Sequence, residues 1–360
     1  LMFPGQGCQY VGMTKDLYYE YPAAKKFLDN INGWIKDKDL LNLMFSGPRE
    51  ALSQTEYAQP CIMAHSLVVI HILREHYGID LLPRKPTTTT TETIPFLKGQ
   101  KFCNRVLLGH SLGEYSALTA AGFFRLSDAA KIVHQRGKTM QQATAMGLGG
   151  EVEGEEEEAI FQHRPPHSMV SLMPSKFEVI SKIIEEMNIK NPHSCEIAAV
   201  NSPNQVVLSG TTWAVERVAT EAKRRKEARI IRQLDVSAPF HSQFMSPAAS
   251  AVGRILRRIN LQEPDYPLIS NVTARPEKNV EDLIELLEKQ TISTVRWNDM
   301  VNYASKEMGV RVWIEVGPGS VLSSLVKNII PTSEKKKHHV FNLCSYEDIH
   351  QFSQMMSKGL

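Results

Sequence analysis

The stretch VLLGHSLGEYSALTAAG, residues 106–122, constrains this chain most. An apolar run suited to a buried strand turns on Gly-His-Ser-Leu-Gly and continues in helix-forming residues. A strand that reverses into a helix so abruptly needs small residues at the turn, because the first helical turn passes close to the strand end. Ser111, at the apex, is thereby lifted clear of the sheet edge with a helix N-terminus beneath it. Nucleophilic serines sit on such elbows, and the N–H of Leu112, at the helix start, would point at a developing oxyanion. Gly- and Ser-rich turns also occur with no chemistry, so the motif asks for partners elsewhere.

Three further positions carry chemical potential. His241, in DVSAPFHSQFM, follows Pro-Phe at the exit of a strand and is the candidate base. The chain has 12 histidines, and spacing alone does not bring this one to Ser111. Arg136 has Ile132, Val133 and Met140 at i−4, i−3 and i+4, which puts it on the apolar face of its helix. It either snorkels from that face or pairs with a structural acid, or it holds a substrate carboxylate by two hydrogen bonds. Gln6, in the glycine loop FPGQGCQ, either donates to an oxyanion or ties the loop together. GPGS, residues 317–320, is a second strand–glycine–helix junction, a phosphate cradle or a place of close packing. It has no Walker lysine and no GxGxxG, which disfavours nucleotide binding.

The order of elements divides the chain. Residues 168–236 read strand, helix, strand, an NSPN turn, strand, helix, strand, the βαββαβ order of a ferredoxin-like unit. On either side the pattern is α/β. We therefore expect a large α/β domain from 1–143 and 234–360 and an inserted small domain at 144–233. A Pro/Thr-rich stretch at 83–100 and an acidic stretch at 147–166 read as surface insertions. Forty-one basic against 39 acidic residues is too even a balance to suggest nucleic acid. Five scattered cysteines without a CxxC pair argue against a metal site or a disulfide framework. No apolar run approaches the ~20 residues of a membrane span. The basic run EAKRRKEAR, 221–229, is either a solvated face or a docking patch for an acidic partner or a CoA phosphate.

FPGQG, GHSLGEYSAL, RGKTMQQA, VNSPNQVVLSG, PFH, ISNVTARP, VRW and EVGPGSVL, in this order, resemble the malonyl-CoA:acyl-carrier-protein transacylase family and the acyltransferase domains of fatty acid and polyketide synthases. The resemblance covers nearly the whole chain. It implies an α/β-hydrolase-like large domain with a ferredoxin-like insertion, and a free-standing enzyme that passes malonyl from malonyl-CoA to acyl carrier protein. It implies Ser111 as nucleophile, His241 as base, and Arg136 as grip on the malonyl carboxylate. Gln6 and the Leu112 N–H would form the oxyanion hole, and Leu112 and Phe240 would crowd an α-methyl branch. A main-chain carbonyl in the VRW segment, placed at Arg296, would steady the histidine. No cofactor or metal is implied, and a monomer is expected. Cys8 stands where the family usually has Ser, and the stretches at 83–100 and 147–166 are longer than usual. They suggest a eukaryotic, mitochondrial-matrix enzyme, a bacterial one being cytoplasmic; the chain opens inside a strand-like LMF, so no targeting segment is expected in it. The competing readings are a serine esterase or thioesterase on the same elbow, and a module that only docks a carrier protein.

Overall fold

The computed structural model describes residues 1–83, 105–145, 167–187, 193–236 and 238–358. The Pro/Thr-rich stretch, except Pro83, and the whole acidic stretch lie outside the described residues. The strands are β1 (Met2–Phe3), β2 (Leu107–Gly109), β3 (His167–Met173), β4 (Cys195–Ser202) and β5 (Gln205–Thr211). They continue as β6 (Ile230–Gln233), β7 (Leu268–Ile269), β8 (Pro276–Glu277), β9 (Val312–Val316) and β10 (His339–Leu343).

Six strands form the larger sheet in the order β10-β9-β1-β2-β7-β8. All pairings are parallel except β7–β8 at one edge. Strands β1, β2 and β7 are short and apolar without alternation because both faces are covered. Phe3, Leu107 and Leu268 pack into one core cluster, while their neighbours Met2, Leu108 and Ile269 pack into the other. Successive side chains of a strand point to opposite faces, so each of these dipeptides serves both layers. The helix Thr55–Tyr77 is buried along most of its 23 residues, including the polar Gln59 and His65.

The smaller sheet is antiparallel, in the order β4-β5-β3-β6. Two helices, Phe177–Glu186 and Thr212–Arg224, complete the βαββαβ unit read from the sequence. Its own core gathers Val170, Leu172, Ile180, Ile183, Leu208 and Val218 among others. The outer edge of β4 is not left open. Val295 donates to the Ala198 carbonyl and accepts from the Val200 N–H, both at 2.9 Å, and the Thr294 hydroxyl donates to the Ile197 carbonyl at 2.6 Å. An unpaired strand edge is a liability; here it holds a loop of the larger unit in place.

Candidate active site

The elbow forms as its glycines require. Ser111 has φ +52° between β2 and the helix Gly113–Ala120. A Cβ on Gly109 would lie 2.1 Å from the Glu114 nitrogen, and one on Gly113 would lie 2.0 Å from the Phe3 carbonyl oxygen. Only hydrogen fits at either place. Asn271 holds the turn from below, accepting from the Ser111 N–H at 2.8 Å and donating to the Gly109 carbonyl at 2.6 Å.

His241 arrives from a second strained position, φ +57°, in the loop after β6. Its Nε2 stands 2.8 Å from Ser111 Oγ. On the other side Nδ1 is 2.9 Å from the Gln290 carbonyl and 3.2 Å from that of Ser293. Carbonyls only accept, so Nδ1 carries the proton and Nε2 presents its lone pair to the serine hydroxyl. Burial, then the Arg136 charge, pushes the His241 pKa down to about 3. The ring is therefore neutral and able to take a proton at physiological pH. Where a triad has an acid, this histidine has two main-chain carbonyls.

Arg136 is fully buried. Its Nη1 donates to Gln59 Oε1 at 2.8 Å, and its Nη2 donates to Gln290 Oε1 at 2.9 Å and lies 3.5 Å from Ser111 Oγ. The guanidinium also rests 5.1 Å from the centroid of the Tyr115 ring. Among the described residues no carboxylate lies within ion-pair distance of it, and its Nε–H meets no acceptor. Neither snorkelling nor a structural ion pair accounts for such a residue. A buried cation with no direct ion pair, beside a serine–histidine pair, has the chemistry to receive an anion.

The remaining expectations fare differently. Gln6 donates to Thr55 Oγ1 at 3.2 Å, in the loop after β1 that the elbow packs against. Leu112 is the cap residue of the helix Gly113–Ala120, so its N–H is one of the end groups that no helical carbonyl satisfies. Phe240 is buried in the cluster that contains Ala199, Phe244 and Ile269. Arg296 does not steady the histidine. Its carbonyl accepts from the Met300 N–H at 3.0 Å, its N–H donates to the Asn271 carbonyl, and its side chain pairs with Asp299. The carbonyls that do the work, Gln290 and Ser293, lie three to six residues earlier and were missed, because every residue owns a carbonyl and none marks it in the sequence. GPGS proves to be a packing junction: a Cβ on Gly317 would lie 2.5 Å from Pro4 Cγ, and the helix end behind it is filled by Glu315. In EAKRRKEAR, Arg224 and Arg225 pair with Glu221, and Arg225 also pairs with Glu186.

Among the described residues no helix is long and apolar enough to cross a membrane. The acyl transferase domain model matches residues 169–343. The malonyl CoA-acyl carrier protein transacylase of Bacillus subtilis is 36% identical over 91% of this chain and 89% of its own. Among solved structures, the acyl-carrier-protein-S-malonyltransferase of Bartonella henselae is 32% identical with a TM-score of 0.79, covering 99% of this chain and 98% of that one. A malonyl-transacylase solved in complex with its type II polyketide acyl-carrier protein is 29% identical with a TM-score of 0.78, over 98% of each chain. With the elbow, its histidine and the buried arginine in one place, this chain belongs to the malonyl-CoA:acyl-carrier-protein transacylase family.

Proposed function

We propose that Ser111, His241 and Arg136 divide between them the work of malonyl transfer from malonyl-CoA to acyl carrier protein, the reaction of this acyltransferase. The free carboxylate of malonyl-CoA meets the Arg136 fork. His241 Nε2 takes the Ser111 proton as Oγ attacks the thioester carbonyl. The Leu112 N–H and Gln6 hold the oxyanion, and loss of one such donor typically costs on the order of 100- to 1000-fold in turnover. Collapse expels the CoA thiolate, which takes the proton from His241, and leaves a malonyl ester on Ser111. The phosphopantetheine thiol then enters by the reverse route: His241 accepts its proton and returns it to Oγ as the ester breaks. Kinetics are ping-pong. No cofactor or metal takes part.

The observation that carries this reading is the buried Arg136, without a carboxylate partner among the described residues and 3.5 Å from the serine hydroxyl. An acetyl group would leave that guanidinium desolvated and unpaired, which builds selectivity for malonyl into the resting site. Phe240 and Leu112 supply bulk against an α-branch. The test is initial-rate kinetics against malonyl-CoA and phosphopantetheinylated acyl carrier protein. Parallel double-reciprocal lines, with CoA release matched by malonyl-carrier formation, fit the transferase. CoA release without carrier loading would mean hydrolysis.

The carrier-protein complex of the relative supports the same partner here. The part of EAKRRKEAR not consumed by Glu221 and Glu186 is where an acidic carrier would dock. We assign the large domain to 1–143 and 234–360 and the small one to 144–233, acting as a monomer. The two long low-complexity stretches support a eukaryotic, mitochondrial-matrix setting, to be checked by locating the protein in fractionated cells.

A further inference from the structure

We propose that Glu114 is a positioning residue that governs how Arg136 receives the malonyl carboxylate, acting through the side-chain amide of Gln290. The inference rests on the assignment of Arg136 as the carboxylate receptor. Glu114, Gln290, Asn271 and Arg136 are each at most 1% exposed. Arg136 Nη2 donates to Gln290 Oε1 at 2.9 Å. The nitrogen end of the same amide donates to Glu114 Oε2 at 2.6 Å and to the Ser111 carbonyl at 2.8 Å. The other Glu114 oxygen accepts from the Asn271 N–H at 2.6 Å.

An amide has two unlike ends, and here each end meets a group that tolerates one orientation only. A guanidinium donates and never accepts, so the Gln290 oxygen must face Arg136. The nitrogen must then face two acceptors, and Glu114 supplies one of them. With the amide so held, its dipole lies between a cation and a carboxylate, and each hydrogen bond strengthens the next. The carboxylate stands one amide away from the guanidinium. It leaves the fork open, which a direct ion pair would close to substrate. Burial pushes its own pKa up to about 8, against the pull of the Asn271 and Gln290 hydrogen bonds and the Arg136 charge. Gln290 also offers its main-chain carbonyl to His241 Nδ1, so one residue sits behind both the acyl-recognising and the proton-accepting sides of the site.

Glu114 presents one oxygen to the Asn271 N–H and the other to the Gln290 amide, which an acid side chain offers and an amide side chain does not. In Glu114→Gln one donor loses its acceptor, and the Gln290 amide is no longer held towards Arg136. Rapid-quench acylation of Ser111 by malonyl-CoA and by acetyl-CoA, each at saturation and below it, tests this. We expect Glu114→Gln to slow malonyl acylation about tenfold or more while acetyl acylation changes by less than about threefold, because acetyl never uses Arg136. Glu114→Asp, which keeps both oxygens, should restore most of the malonyl-to-acetyl ratio. Gln290→Met breaks the same link yet keeps the main-chain carbonyl, and it should narrow the ratio in the same way; it decides the matter if Glu114→Gln does not fold. Arg136→Ala separates the layers. If it leaves the ratio intact, the assignment of Arg136 fails. If it collapses the ratio while Glu114→Gln and Gln290→Met lower both rates equally or leave both unchanged, the positioning role of Glu114 is overturned.

Discussion

Two junctions of this molecule share one plan and differ in one use. At each, a parallel strand ends in a glycine turn and a helix begins: β2 into Gly113–Ala120, and β9 into Val321–Ile329. Each has a buried glutamate beside the helix start, Glu114 and Glu315. At the second junction Glu315 turns its carboxylate onto the helix end, accepting from Leu322 N–H at 3.0 Å and Ser323 N–H at 2.7 Å. The positive end of that helix is closed by the protein's own anion. At the first junction Glu114 faces Asn271 and Gln290 instead. The Ser111, Gly113 and Glu114 N–H groups are held by Asn271, His110 and Ser111, and in the proposed reaction the Leu112 N–H goes to the anion that forms. A helix N-terminus becomes a site only when the nearest acid looks elsewhere.

The comparison can be broken in several ways. Ser111→Ala should abolish covalent loading, with turnover falling on the order of 10⁴- to 10⁶-fold, since dyad members act as a unit; single-turnover CoA release measures it. Gly113→Ala drives a methyl against the Phe3 carbonyl and should cost about 1–3 kcal/mol in urea unfolding. The same change should lower kcat/KM on the order of 100-fold, because the elbow shifts. Glu315→Gln sharpens the contrast. It turns one acceptor into a donor facing a helix N–H and should cost about 1–2 kcal/mol of stability, while kcat/KM stays within about twofold. A large loss of activity there would mean that the second junction is not merely closed.

The smallest effect concerns pH. A free histidine near 6.5 is mostly protonated at pH 5.5. His241, held down to about 3, keeps its lone pair, so Ser111 acylation should change less than about twofold between pH 6.5 and 5.5. The sign for stability follows: between about 6.5 and about 3 the unfolded chain binds this proton and the folded one does not, so stability is lost as pH falls through that window. A tenfold drop in acylation over the same unit would place the working pKa of the base near its ordinary value.

Much of this site was legible because its side chains sit in turns with strict geometry. GHSLG announces an elbow through residues that only a tight approach requires. Arg136 shows only as a charge on an apolar helix face, a pattern that a snorkelling or ion-paired arginine shares, and its role comes from the family resemblance. The βαββαβ order was readable because period and turn chemistry agree over that stretch. The failures are of one kind. Arg296 was expected to steady His241, yet its carbonyl is spent in the first turn of its own helix. Gln290 and Ser293, which do steady it, act through backbone atoms whose position depends on the loop that β4 clamps. That placement belongs to tertiary packing and leaves no local mark. Glu114 reads in the sequence as an ordinary first-turn acid, and Gln59 as one polar residue in a long helix; their partners lie far away in the chain.

Intact-protein mass spectrometry after mixing with malonyl-CoA, acetyl-CoA and methylmalonyl-CoA in turn, with peptide mapping of any adduct, tests the central claim most directly. The account predicts a malonyl adduct on Ser111, discharged by carrier protein, scarcely formed from acetyl-CoA and absent in Ser111→Ala. Steady release of free CoA with no adduct from any of the three, or an adduct that persists in Ser111→Ala, would contradict it.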